Sequence, residues 1–354
     1  MNRRQLLTGA AVLTTTAAWG TPDTPPADIA LFRDATETLF AIADLRRADN
    51  PAAPAVPRRT FVRDADEAHR LALEGPAPLV GMSLDDLLDC ARSQHPAAGE
   101  LVAVAGVHRG FLDLMAAGGI ARIADLKGRR IAVDTDTGYA SALFEMLRRE
   151  GLTRGRDYEV VYAGATNLRY EKLRAGAFDA TLLGAPFTRL AKRAGFVSLG
   201  SVIGALGGYQ AIVLVARRSW LTANGAAAQA TVACLLRTLA FARDPAQAPT
   251  VAAYVGRSLG LDASAASAVT DDLFGLRSEF LPDGRMRDAD VAVVLDLFNA
   301  SRASNLAMTD VRALFDARYL PLLTGTDNRN RPAPGGRLAG GHDRRALSPD
   351  RISL

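Results

Sequence analysis

Three short segments have residue types that could do chemistry: Asp134-Thr135-Asp136-Thr137-Gly138, Gly164-Ala165-Thr166-Asn167 and Gly184-Ala185-Pro186. Each is small or polar, follows a run that reads as a strand, and precedes a run that reads as a helix. The first N–H groups of a helix lack intrahelical partners, and the positive end of its dipole lies there. Three such ends on one edge would cradle a carboxylate, sulfonate or phosphate. The N–H groups of Thr137, Gly138 and Tyr139 would be the donors, with the hydroxyls of Thr135 and Thr137 beside them. Taken singly, each segment reads first as a helix cap; the coincidence of three points to a ligand edge. Asp136 poses a question, because its carboxylate repels an anion unless it turns away or meets an amine.

Other candidates lie elsewhere in the chain. Arg33-Asp34, Arg63-Asp64 and Met82-Ser83 end the strand-like runs of an earlier series, and Arg33 and Ser83 are taken from them as ligand contacts. His108-Arg109 reads as lining a cleft or as a solvated pair, and Arg109 is kept as a contact. Tyr209 could stack on a ligand or pack in the core. Arg169 reads as a cleft cation or a helix-surface arginine. The run Asp85-Asp86…Asp89 reads as a solvated face. Histidines 69, 95, 108 and 342 show no metal-ligand spacing. No Ser-His-Asp arrangement or carboxylate pair stands out, so neither an enzyme nor a cofactor is expected.

These residues need elements to position them. Strand and helix patterns alternate from Ile29 to about Gln94, and again from Arg130 to Gly200. Within 139–149, Ala140, Leu143, Phe144 and Leu147 follow the spacing of one buried helix face. Residues 225–317 read as mostly helical. Alternation predicts parallel-rich sheets flanked by helices. Two series predict an α/β chain of two lobes, 27–105 with 205–322 and 106–204, joined by two crossings that form a hinge able to close on a ligand. Ligands of such sheets sit at the carboxyl ends of the strands, where the polar segments fall.

The ends read differently. Residues 1–20 have Arg3-Arg4, an apolar stretch and small residues at Ala18 and Gly20, an export leader of twin-arginine appearance. Residues 324–354 are rich in Gly, Pro and Arg and read as disordered. The leader contributes +2 and the tail +3 to a total of +4, leaving −1 for the remainder, which argues against nucleic acid. Cys90 and Cys234 read as buried free thiols more readily than as a disulfide.

Residues 119–200 resemble the substrate-binding proteins of ABC importers, in the nitrate/sulfonate/taurine and thiamine-precursor group. The likeness rests on "DLKGRRIAV" (125–133), the polar loop and helix after it, and Gly164, Arg169, Leu173, Gly176, Asp179 and Ala180. A Pro-led helix and Gly195-Phe196…Leu199 complete it. It implies a type II periplasmic-binding fold and an exported, periplasmic, monomeric protein. Such a protein would bind a small anionic or zwitterionic solute and pass it to an ABC permease and ATPase. It places binding at Ser83, Thr135 to Tyr139, Asn167 and Gly184 to Pro186. An enzyme, or a sensor or tripartite-system receptor, on the same fold is the alternative.

Overall fold

The structure is a computed structural model and describes residues 24–321; the predicted leader and tail lie outside them. The chain runs β1 (Ile29–Leu31), α1 (Ala35–Asp49), β2 (Arg59–Phe61), α2 (Ala65–Leu73), β3 (Leu79–Ser83), α3 (Leu84–Arg92), β4 (Leu101–His108) and β5 (Asp113–Ala116). It continues β6 (Arg130–Val133), α4 (Tyr139–Arg149), β7 (Glu159–Tyr162), α5 (Thr166–Arg174), β8 (Ala180–Leu183), α6 (Phe187–Arg193), β9 (Val197–Ser201), α7 (Val202–Leu206) and β10 (Ile212–Arg217). Helices α8 (Arg218–Ala242), α9 (Ala248–Leu259), α10 (Ala263–Phe274), α11 (Asp288–Arg302) and α12 (Met308–Ala313) follow.

Two five-stranded sheets result, ordered β2-β1-β3-β10-β4 and β7-β6-β8-β5-β9. In the first, β10 runs antiparallel between β3 and β4; in the second, β5 runs antiparallel between β8 and β9. The remaining pairs are parallel. The chain leaves the first sheet after His108 and returns to it at Ile212. This is the predicted α/β, two-lobed, type II architecture with a double-stranded hinge. Strand β5 and helix α7 have no counterpart in the sequence reading. Both are short, and β5 is defined by pairing with two distant strands, which local pattern does not carry.

Local sequence explains the first three helix starts. The side chains of Asp34, Asp64 and Ser83 accept from Thr36, Glu67 and Asp86 N–H, capping α1, α2 and α3. Three apolar clusters then cover the sheets. Leu39, Phe40, Leu235, Val251 and Val269 pack α1 and α8–α10 on the first sheet. Met82, Leu87, Ile131, Leu143 and Met146 form a second cluster reaching both sheets. Met115, Tyr170, Leu173, Phe178 and Leu183 fill the space under α5. Helix α8 is long and apolar enough to cross a membrane by length and composition, but much of it is buried in this core. Cys90 and Cys234 are buried free thiols.

The crossings are where the backbone is unusual. Gly110 (φ 128°) and Phe111 (φ 54°) follow β4, and Gly207 (φ 85°) opens the return. The Ala211 N–H donates to the His108 carbonyl at 3.2 Å and ties the two crossings together.

Candidate functional site

The carboxyl ends of strands from both sheets meet around a cavity of about 30 Å³, room for roughly two water molecules. The first sheet contributes Phe32, Asp34, Ser83, Asp86 and His108; the second contributes Asp134, Gly138, Tyr139, Thr166, Arg169 and Gly184. Gly110 and Leu112 of the first crossing close one side. The lobes touch around it. The Ala165 N–H donates to the Arg63 carbonyl at 2.7 Å, and Arg302 Nη2 to the Asp136 carbonyl at 3.3 Å. Arg189 forks onto Asp272 at 2.7 and 2.5 Å, and Arg193 reaches Asp262 at 2.8 Å.

Of the predicted contacts, Ser83, Gly138, Tyr139 and Gly184 line the cavity. The others do not, each for a visible reason. Arg33 stacks over the Phe61 ring at 3.7 Å, while its neighbours Phe32 and Asp34 face the cavity. Arg109 forks onto Asp290 and also bonds Glu279 at 2.8 Å, fixing the first crossing to α11 and the segment before it, while His108 faces the cavity. In both places the lining residue is the arginine's neighbour in the chain. Thr135 and Thr137 share a hydroxyl–hydroxyl bond of 2.9 Å that shapes their own loop. Asn167 and Pro186 begin α5 and α6 without reaching the cavity. Tyr209 is fully buried; its hydroxyl donates to Asp85 Oδ2 at 3.0 Å, and its ring packs edge-on against Tyr139.

Asp136 turns outward. It pairs with Arg154 at 2.8 Å and accepts from the Tyr162 hydroxyl at 2.7 Å. Asp34 and Asp134, at the predicted strand ends, do line the cavity, and so does Asp86 from the run that reads as a solvated face. Asp85 and Asp86 are 3% and 2% exposed, because the start of α3 faces the start of α4; Asp89 pairs with Arg302 at the rim. A Cβ on Gly138 would stand 3.1 Å from Asp86 Oδ2 and 3.3 Å from Ser83 Oγ. The Ser83 hydroxyl donates to Asp86 at 2.5 Å, His69 Nε2 lies 3.0 Å from it, and Thr137 bonds it as well. The cradle at the start of α4 therefore faces the protein's own carboxylate.

These contacts set the charges. Burial would raise the Asp86 carboxyl, but its bonds to His69, Ser83 and Thr137 hold it below the usual range. Burial opposes the His69 imidazolium, yet bonds to Asp86 and Cys90 lift it to about 11. Burial and then the Asp86 charge push Asp85 up to about 7. Burial pushes Asp134 up to about 6 against the pull of Arg169, 3.7 Å away. Arg169 is 3% exposed and donates to the Gly164 and Leu182 carbonyls at 2.6 and 3.2 Å. His108 Nδ1 accepts from the Gly110 N–H at 3.1 Å, which places the ring proton on Nε2. That Nε2 and Arg169 Nε are buried and make no hydrogen bond among the described residues.

The comparisons agree with this geometry. The NMT1/THI5-like family model matches residues 97–248. Among curated proteins none matches the sequence. The periplasmic nitrate-binding protein NrtA of Synechocystis PCC 6803 superposes with a TM-score of 0.65 at 10% identity, covering 84% of this chain and 88% of that one. A Candida albicans gene product with the generic periplasmic-binding-protein fold gives 0.60 at 11%, covering 85% and 99%. The periplasmic aliphatic sulphonate-binding protein SsuA of Escherichia coli gives 0.59 at 18%, covering 88% and 97%. The chain therefore has the two-lobed type II periplasmic-binding fold, and its residues 97–248 match the NMT1/THI5-like family model.

Proposed function

We propose that this chain is an exported, periplasmic solute-binding protein. It takes a small organic solute between its lobes, 27–105 with 205–322 and 106–204, and delivers it to an ABC permease. The observation that carries this reading is the cavity between the strand ends of two sheets that the chain connects twice. Two of its lining side chains, His108 and Arg169, bury a nitrogen that makes no hydrogen bond among the described residues. Unmatched buried donors cost stability, and a bound solute offers them acceptors.

A thermal-shift screen tests the proposal. A cognate solute at 100 times its Kd stabilises the protein by about 2.7 kcal/mol, which for a chain of this size raises Tm by about 4 °C. Sulfonates, carboxylates, amines and pyrimidines should be screened together. A melting temperature unmoved by every class would remove the proposal.

A further inference from the structure

We infer that the solute carries a protonated amine, which Asp34 receives while His108 Nε2–H donates to a neighbouring acceptor on the same molecule. This deepens the solute-binding reading and rests on it. The reason is the charge left over in the cavity. Asp34, Asp86 and Asp134 face it, against Arg169. Asp134 is matched by Arg169 at 3.7 Å, and Asp86 by His69 at 3.0 Å. Among the described residues Asp34 has no arginine, lysine or hydrogen-bonded histidine partner at the cavity. Its Oδ1 caps α1 through the Thr36 N–H at 2.8 Å, and its Oδ2 lies 3.7 Å from His108 Nε2, beyond hydrogen-bond range. With Nδ1 accepting from Gly110, that imidazole is a neutral donor and does not cancel the carboxylate.

The place where an oxyanion would sit is already taken. The positive end of α4 faces Asp86, 3.1 Å from where a Gly138 Cβ would be, so an anion there would meet a second negative charge. A metal ion does not fit the remaining charge either, since among the described residues no three His, Cys, Asp or Glu side chains converge on one point. What fits is an organic ammonium with an acceptor close by, its carbon body against Phe32, Leu112 and Tyr139; aromatic walls also favour a cation.

Calorimetric titration of the full chain with matched pairs tests the inference: ethanolamine against ethylene glycol, glycinamide against acetamide, and taurine against isethionate, with nitrate and methanesulfonate alongside. The amine-bearing member should bind at least tenfold tighter in at least one pair. Asp34→Asn, which keeps a good helix cap, should erase that preference while melting within a few degrees of the parent. Tighter binding of nitrate, methanesulfonate or isethionate than of any amine overturns the charge assignment and leaves solute capture standing. So does a preference that survives Asp34→Asn. Silence from every compound, including those of the thermal-shift screen, removes solute capture and the assignment together.

Discussion

The first turn of α4 shows how far single residues decide the site. Gly138 has φ 59° and ψ −133°, a region that side chains other than hydrogen rarely enter, and it sits against Asp86 and Ser83. Gly138→Ala is expected to cost about 1–3 kcal/mol, and to weaken solute binding because the added methyl pushes α3 and α4 apart. Gly176→Ala is the control: its φ is 72°, but nothing lies near its would-be Cβ, so urea midpoints of the two variants separate the crowding from the backbone cost. Equal losses, with binding intact in both, would mean that the Asp86 contact is incidental. The loop of Gly138 was legible from its residue types; the contact was not. Sequence placed Arg33 and Arg109 at the cleft when it is Asp34 and His108 that line it, because a loop's position follows from pattern while the side on which each residue points needs the backbone. The same gap hid Asp86. A run of acids at a helix start reads as solvated until another lobe is packed on it.

At the scale of elements, the contacts between lobes ask what holds the cleft shut. Arg189 on α6 and Asp272 on α10 form a forked pair, but their side chains are 36% and 32% exposed. Such pairs contribute about 0–1 kcal/mol to stability. On the proposed solute-binding reading their effect falls on closure, since the pair spans the two sides of the cleft. Asp272→Ala is expected to raise the solute Kd by about two- to fivefold, within that energy range, with a faster off-rate and little change in the Tm of the unliganded protein. Loss of Tm without a change in Kd would make the pair a stabiliser of one lobe and nothing more. The strands and helices that carry these residues were largely readable, because the alternating pattern and the Asp34, Asp64 and Ser83 caps are local. Strand β5 was not, since its place between β8 and β9 depends on partners about 65 and 85 positions away along the chain. Nor was the hinge geometry at Gly110 and Phe111, which is fixed by how the two crossings meet.

At the scale of the whole molecule, burying an acidic cluster between lobes makes stability depend on pH in an unusual direction. His69 titrates near 6.5 when unfolded and at about 11 when folded. A raised base stabilises fully below its unfolded value, and that contribution is lost as pH climbs toward the folded one. Asp134 and Asp85 are raised to about 6 and about 7 by burial. The folded state keeps protons there that the unfolded state has released, so stability falls further as pH rises from about 4 through 7. Asp86 and Glu145, both lowered by their partners, act on the other flank: their contribution is present at neutral pH and is lost as pH drops through the acid range. The two flanks place the maximum on the mildly acid side. Between pH 6.5 and 8.5, His69 alone should remove about 2 kcal/mol, the slope reaching about 1.4 kcal/mol per unit once the unfolded imidazole has lost its proton. Urea unfolding across that range should show a falling midpoint, and His69→Gln should flatten most of the slope because the imidazolium that holds Asp86 is gone. A midpoint that stays level or rises from pH 6.5 to 8.5 in the parent would mean that His69 is not charged against Asp86, and the pairing that leaves Asp34 as the unmatched carboxylate of the cleft would have to be redrawn.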